Sequence, residues 1–183
     1  MDNYKYYFAQ GKFDDTYPIV NVNLSRYRRE ATDKVEVELR DPIPRNPVMA
    51  DYHFGNKDIF HKRIADVMKS FDMEGIEFLP AEIDDGKGNI YDDYVCVVVD
   101  NNTYEALDKE KSDCFMDEDT LMYDIKKAVL DRNVLAKIPL KKRLGMRLEE
   151  APGYYLFHQS VVDAVMALNP KGLYFQDIET HKF

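Results

Sequence analysis

The sequence predicts an α+β fold: a single compact domain, residues 1–183, of mixed, mainly antiparallel sheet with a few helices, built from two similar helix–strand lobes. Three observations predict it. Val35-Glu36-Val37-Glu38-Leu39 alternates apolar and polar with period two, the pattern of a half-buried strand. Residues 60–78 recur without a gap as residues 157–175, and each copy carries a helical apolar stripe followed by a strand-like run. The composition is 45% hydrophobic and 32% charged with only 8 Gly and 8 Pro, which excludes collagenous, low-complexity and wholly disordered chains. A chain of 183 residues buries a core without needing disulfides or a metal.

The elements follow in order along the chain. Tyr4-Lys5-Tyr6-Tyr7-Phe8 reads as the first strand and Val35 to Leu39 as a second, with Pro42, Pro44 and Pro47 marking the loop after it. In the first repeat copy Phe60, Ile64, Val67, Met68 and Phe71 form one stripe of a helix; in the second, Phe157, Val161, Ala164, Val165 and Leu168 do the same. Gly75 and Gly172 suit a positive φ just beyond each helix. Strands follow at 76–83 and 173–178. Asp84-Asp85-Gly86-Lys87-Gly88-Asn89 lacks the alternating ligands and closing Glu of a calcium loop, and no phosphate-binding helix follows its glycines. A hairpin turn between strands near 76–83 and 90–100 explains it. Asp117-Glu118-Asp119-Thr120 ahead of Leu121, Ile125 and Val129 predicts a helix running to about Asn133.

The repeated histidines, His61 and His158, invite a catalytic reading. On a helical wheel His61 and Asp66 lie about 140° apart, as do His158 and Asp163, so neither pair is a local acid–base couple. The structural expectation is that each histidine opens its helix, a ring nitrogen satisfying a free backbone N–H, with Asp66 and Asp163 on the wet face. A hydrolase or nucleotide-processing enzyme using His61 or His158, with carboxylates gathered by folding, remains the alternative. His53 and His181 complete no metal-ligand spacing, and no nucleophile elbow or zinc-protease motif occurs. No catalytic residue, metal or cofactor is therefore expected. Cys96, inside Tyr94-Val95-Cys96-Val97-Val98-Val99, reads as a small buried hydrophobe, and Cys114 as a second reduced thiol.

The net charge of −9 hides a polarised chain. Residues 126–147 hold eight basic side chains and one acid, so that segment is +7 and the remainder −16. The basic segment has no aromatic residue to stack on bases, and a solvated helix face plus a strand explains it better than a nucleic-acid surface. Neither nucleic acid nor membrane is expected as a partner, since the apolar run Val95 to Val99 is far too short to span a bilayer. No apolar leader segment follows Met1-Asp2-Asn3-Tyr4-Lys5, so the expected compartment is the cytoplasm.

Three stretches in order carry a resemblance. They are Gly75-Ile76-Glu77-Phe78-Leu79-Pro80-Ala81-Glu82-Ile83 with the hairpin and Tyr94 after it, Ala106-Leu107-Asp108-Lys109-Glu110-Lys111-Ser112, and Leu144-Gly145-Met146-Arg147-Leu148. The last continues through Tyr155-Leu156-Phe157, a helix, and Lys171-Gly172-Leu173-Tyr174-Phe175. Over about residues 48–178 the chain resembles the bacterial immunity proteins of polymorphic toxin systems; Gly145-Met146 departs from the more aromatic family pattern. The resemblance implies a protein that binds and neutralises a cognate toxin and protects the producing cell. It carries over no catalytic residue. Leu107-Asp108 and Ser112 read as a turn capped by Asp and Ser in preference to a ligand site. The acidic clusters suit a basic toxin, and the expected contact surface is the hairpin bearing Asp84, Asp85, Asp92 and Asp93.

Overall fold

A computed structural model describes residues 5–118 and 123–182. In chain order the elements are β1 (Tyr6–Gly11), β2 (Ile19–Val22), α1 (Leu24–Glu30), β3 (Val35–Arg40), β4 (Tyr52–His53), β5 (Asp58–His61) and α2 (Lys62–Lys69). Next come β6 (Ile76–Asp84), β7 (Ile90–Val99), β8 (Thr103–Tyr104), β9 (Asp113–Met116), β10 (Tyr123–Lys127), α3 (Arg132–Lys137) and α4 (Leu140–Arg143). The chain closes with β11 (Gly145–Leu148), β12 (Tyr155–His158), α5 (Gln159–Met166) and β13 (Leu173–Asp177). The fold is α+β with mixed, mainly antiparallel sheets. One sheet has the order β2-β3-β6-β7-β5-β4, a second β13-β1-β12-β11-β8, and β9 with β10 forms a separate hairpin.

The sequence repeat is a repeat of topology. In one sheet β5 and β6 flank β7, antiparallel to both; in the other β12 and β13 flank β1, again antiparallel to both. Each lobe is therefore a strand–helix–strand unit split by an inserted strand. The register agrees residue by residue: His61 faces Tyr94 where His158 faces Tyr6, and Ile76 faces Val99 where Leu173 faces Gly11. The inserted strand of the first lobe follows its unit in sequence, whereas that of the second comes from the chain's N-terminus.

Both lobes feed one central core. Ile64 and Met68 of α2, Val161 and Val165 of α5, and Phe60 and Phe157 at the ends of β5 and β12 are all fully buried in it. The two phenyl rings meet edge to face, 6.4 Å between centroids. Phe60 and Phe157 thus sit in the strands that precede the helices and do not begin the helical stripes. Alternate residues on the same strands, Ile59 and Leu156, point to separate outer cores of the two sheets.

Positive φ falls at two places in each copy. Asp72 (φ 51°) and Asn169 (φ 49°), three residues beyond the last residues of α2 and α5, take the left-handed conformation, and Gly75 (φ 75°) and Gly172 (φ 74°) lead into the following strands. Glycine is required twice over there: a Cβ on Gly75 would lie 2.5 Å from the Asn102 side-chain oxygen, and one on Gly172 would lie 2.7 Å from the Ala50 Cβ.

The helix expected from Leu121 to Asn133 is corrected. Its first residues lie outside those described, Tyr123–Lys127 is strand β10, and only Arg132–Lys137 is helical. Tyr123 and Ile125 alternate with Asp124 and Lys126, so the same residues satisfy period two, and pairing with β9 decides in favour of strand. Asp131 starts the short helix instead, accepting from the backbone N–H groups of Asn133 and Val134. The basic segment is not wholly solvated either. Arg143 is buried and donates to the Ile138 carbonyl and to the Tyr6 hydroxyl, as a strut between α4 and β1.

Candidate functional site

The histidines behave as helix caps in both lobes. His61 Nδ1 accepts from the Arg63 N–H and His158 Nδ1 from the Ser160 N–H, each at 3.2 Å. Each ring stands edge-on to the tyrosine facing it across the sheet, Tyr94 at 5.4 Å and Tyr6 at 5.5 Å. Asp66 and Asp163 are exposed. With Nδ1 accepting, neutral His61 carries its proton on Nε2 and donates it to Asp93, 3.0 Å away. Folding thus gives His61 a carboxylate partner, but neither His61 nor His158 lines any of the cavities described below. The cysteines are free thiols; burial pushes Cys96 up to about 12, which keeps it protonated and unreactive. Among the described residues no cluster of His, Cys, Asp or Glu is placed to hold a metal ion. No described helix is long and apolar enough to cross a membrane.

The four aspartates of the β6–β7 hairpin divide into two roles. Asp85 is buried and belongs to the turn: its Oδ1 accepts from the Lys87 and Asn89 N–H groups and its Oδ2 from the Asn89 amide. The Asn89 amide, ahead of those backbone donors, holds the Asp85 carboxyl below the usual range. Asp84, Asp92 and Asp93 are exposed, although Asp84 Oδ1 also accepts from the Gly86 N–H of the turn at 2.8 Å. Asp92 and Asp93 form a β-bulge, two residues opposite Glu82 alone, between the paired positions Ala81/Tyr94 and Ile83/Tyr91. Lys34 reaches Asp92 at 3.3 Å and Glu82 at 3.6 Å. Ile90, paired with Asp84, stands 54% exposed among these acids. The structure thus gives the hairpin an acidic end that carries one exposed apolar side chain.

Asp108 and Ser112 form the turn expected of them. Asp108 accepts from the Lys111 and Ser112 N–H groups, and the Ser112 hydroxyl pairs with the backbone of Val129.

A second polar cluster escaped the sequence. Asp58 and Tyr155 hold equivalent positions in the repeat, and both line two adjoining cavities of about 130 Å³ each. Tyr52 donates to Asp58 at 2.6 Å, and Lys57 donates to the Tyr155 hydroxyl at 3.1 Å. Burial pushes the Asp58 carboxyl up to about 6, outweighing the Tyr52 hydrogen bond and the nearby Lys57 charge. The Arg147 guanidinium lies 5.9 Å from the Tyr155 ring centroid, and the Lys57 ammonium 5.6 Å. The only signal available in sequence was the divergence of the two copies, Asp in one and Tyr in the other.

No protein-family model matches the chain, and no curated protein matches it.

Proposed function

We propose that this chain is an immunity protein that binds and neutralises a cognate bacterial toxin and so protects the cell that produces it, as the resemblance over residues 48–178 implies. The observation that supports a binding role is the exposed acidic end of the β6–β7 hairpin. Asp84 pairs with the half-exposed Ile90, an apolar anchor, and Asp92 and Asp93 lie exposed further along the same strand as Ile90. Such a surface steers a basic partner electrostatically and seats it through the apolar residue. The motifs behind the resemblance act in the scaffold: Gly75 and Gly172 lead into strands, Asp108 caps a turn, and Leu144, Leu156 and Phe157 are buried. Recognition in this reading therefore falls to surface side chains around a two-lobed scaffold.

The test separates the aspartates. Reversing Asp84, Asp92 and Asp93 to lysine together is expected to slow association with the toxin about 10-fold or more at low salt, with a smaller fall in melting temperature than Asp85→Ala causes, since Asp84 serves one turn donor and Asp85 three. Asp85→Ala is expected to lower the melting temperature, because three turn donors lose their acceptor. Toxin association rates by surface plasmon resonance, alongside melting curves, check both. An association rate unchanged in the triple variant removes the hairpin as the contact surface.

A further inference from the structure

We propose that the cleft between the two lobes binds the oxyanion head, phosphate or carboxylate, of a small ligand between Lys57 and Arg147. The two cations come from different lobes, Lys57 from the loop before β5 and Arg147 from β11, and they converge on the one ring of Tyr155. Among the described residues, neither Lys57 nor Arg147 has a carboxylate within ion-pair distance. Arg147 donates from one Nη to Thr103 Oγ1 at 3.2 Å, while its Nε is buried and makes no hydrogen bond. Arg147 lines the cavity together with Lys57, and an anion held there would give the two cations a shared acceptor.

The surroundings fit such a head. The cavity is polar, about 130 Å³, and is walled by Lys57, Arg147 and Tyr155 with the small residues Gly55 and Gly153. A phosphate or carboxylate group fits that volume; a larger ligand must extend beyond it. The adjoining cavity of similar size, sharing Asp58 and Tyr155, is bordered by Phe8, Tyr52, Phe54 and Tyr154. Those rings offer an apolar wall to whatever carries the anion. Asp58 is the one carboxylate facing both cavities, and it works against an anion. Its removal therefore has a predictable sign.

The experiment is an NMR titration of the isotopically labelled full chain with inorganic phosphate and, separately, with benzoate. Saturable shifts are expected for the amides of residues 55–57 and 153–155. Lys57→Gln and Arg147→Gln are each expected to weaken binding about 10-fold or more, and Asp58→Asn, which leaves an oxygen to accept from Tyr52, to tighten it. Saturation by phosphate alone identifies a phosphoryl head, by benzoate alone a carboxylate, and by both an unselective oxyanion site; all three support the proposal. Absence of saturable shifts with either anion overturns it, as does binding unchanged in Lys57→Gln or not tightened in Asp58→Asn. Lys57 lies in a partly exposed loop, so its variant decides the matter even if Arg147→Gln fails to fold.

Discussion

Asp51→Ala is expected to lower the unfolding free energy by about 3 kcal/mol, or roughly 6–12 °C in melting temperature for a chain of this size. Asp51 is buried and joins the lobes. It receives Arg63 in a two-pronged pair at 2.7 and 2.5 Å and the Lys171 N–H at 2.6 Å, while its own N–H donates to the Lys171 carbonyl. Arg63 in turn donates to the Leu168 carbonyl, so one carboxylate ties the start of α2 to the turn between α5 and β13. Because Arg63 is 40% exposed, water recovers part of what the pair loses, which places the cost at the low end for a broken buried ion pair. Burial by itself would raise the Asp51 carboxyl, but Arg63 and the Lys171 N–H outweigh it and leave the group below its ordinary value. A depressed carboxylate contributes its stability above its unfolded pKa, about 3.9, and loses it as pH falls through the lower folded value. The gap between the native chain and Asp51→Ala should therefore be full at pH 7 and close on acidification below about pH 4. Urea melts at both pH values check it.

Phe60→Ala and Phe157→Ala are each expected to cost about 3–5 kcal/mol, since each ring is fully buried in the central core. The stronger expectation concerns the pair. The rings touch each other across the lobes, so the double variant should lose less than the sum of the singles, by about 0.5–1.5 kcal/mol. Strict additivity in a double-mutant cycle would mean that the lobes hold separate cores.

The parts of the fold legible in the sequence were those set by local chemistry. A 97-residue offset aligned two apolar stripes, two helix-capping histidines and two glycines, and the structure places them equivalently. What the offset could not show is where each unit finds its inserted strand. β7 lies next in sequence to β6, but β1 closes the second unit from the far end of the chain, a pairing decided only by tertiary contact. The Leu121–Val129 helix failed for a related reason: apolar residues at 121, 125 and 129 satisfy both periods, and a partner strand broke the tie. The hairpin acids were visible as a cluster, but their division was not. Tyr91 and Tyr94 both pack on the outer core of their sheet with two acids between them, which breaks strict alternation and marks the bulge. That spacing could have been read as one. The turn role of Asp85 and the gathering of Lys57, Asp58, Arg147 and Tyr155 depend on residues up to 98 apart in sequence meeting in space.

The most direct test of the binding account is co-expression with a toxin. The chain is produced together with a toxin domain taken from a toxin-like reading frame found beside its own gene, and survival is counted with and without the chain. The account predicts that the chain restores growth and elutes with the toxin domain as a stoichiometric complex. Cells that die equally in both conditions, with the two proteins eluting separately, would contradict it.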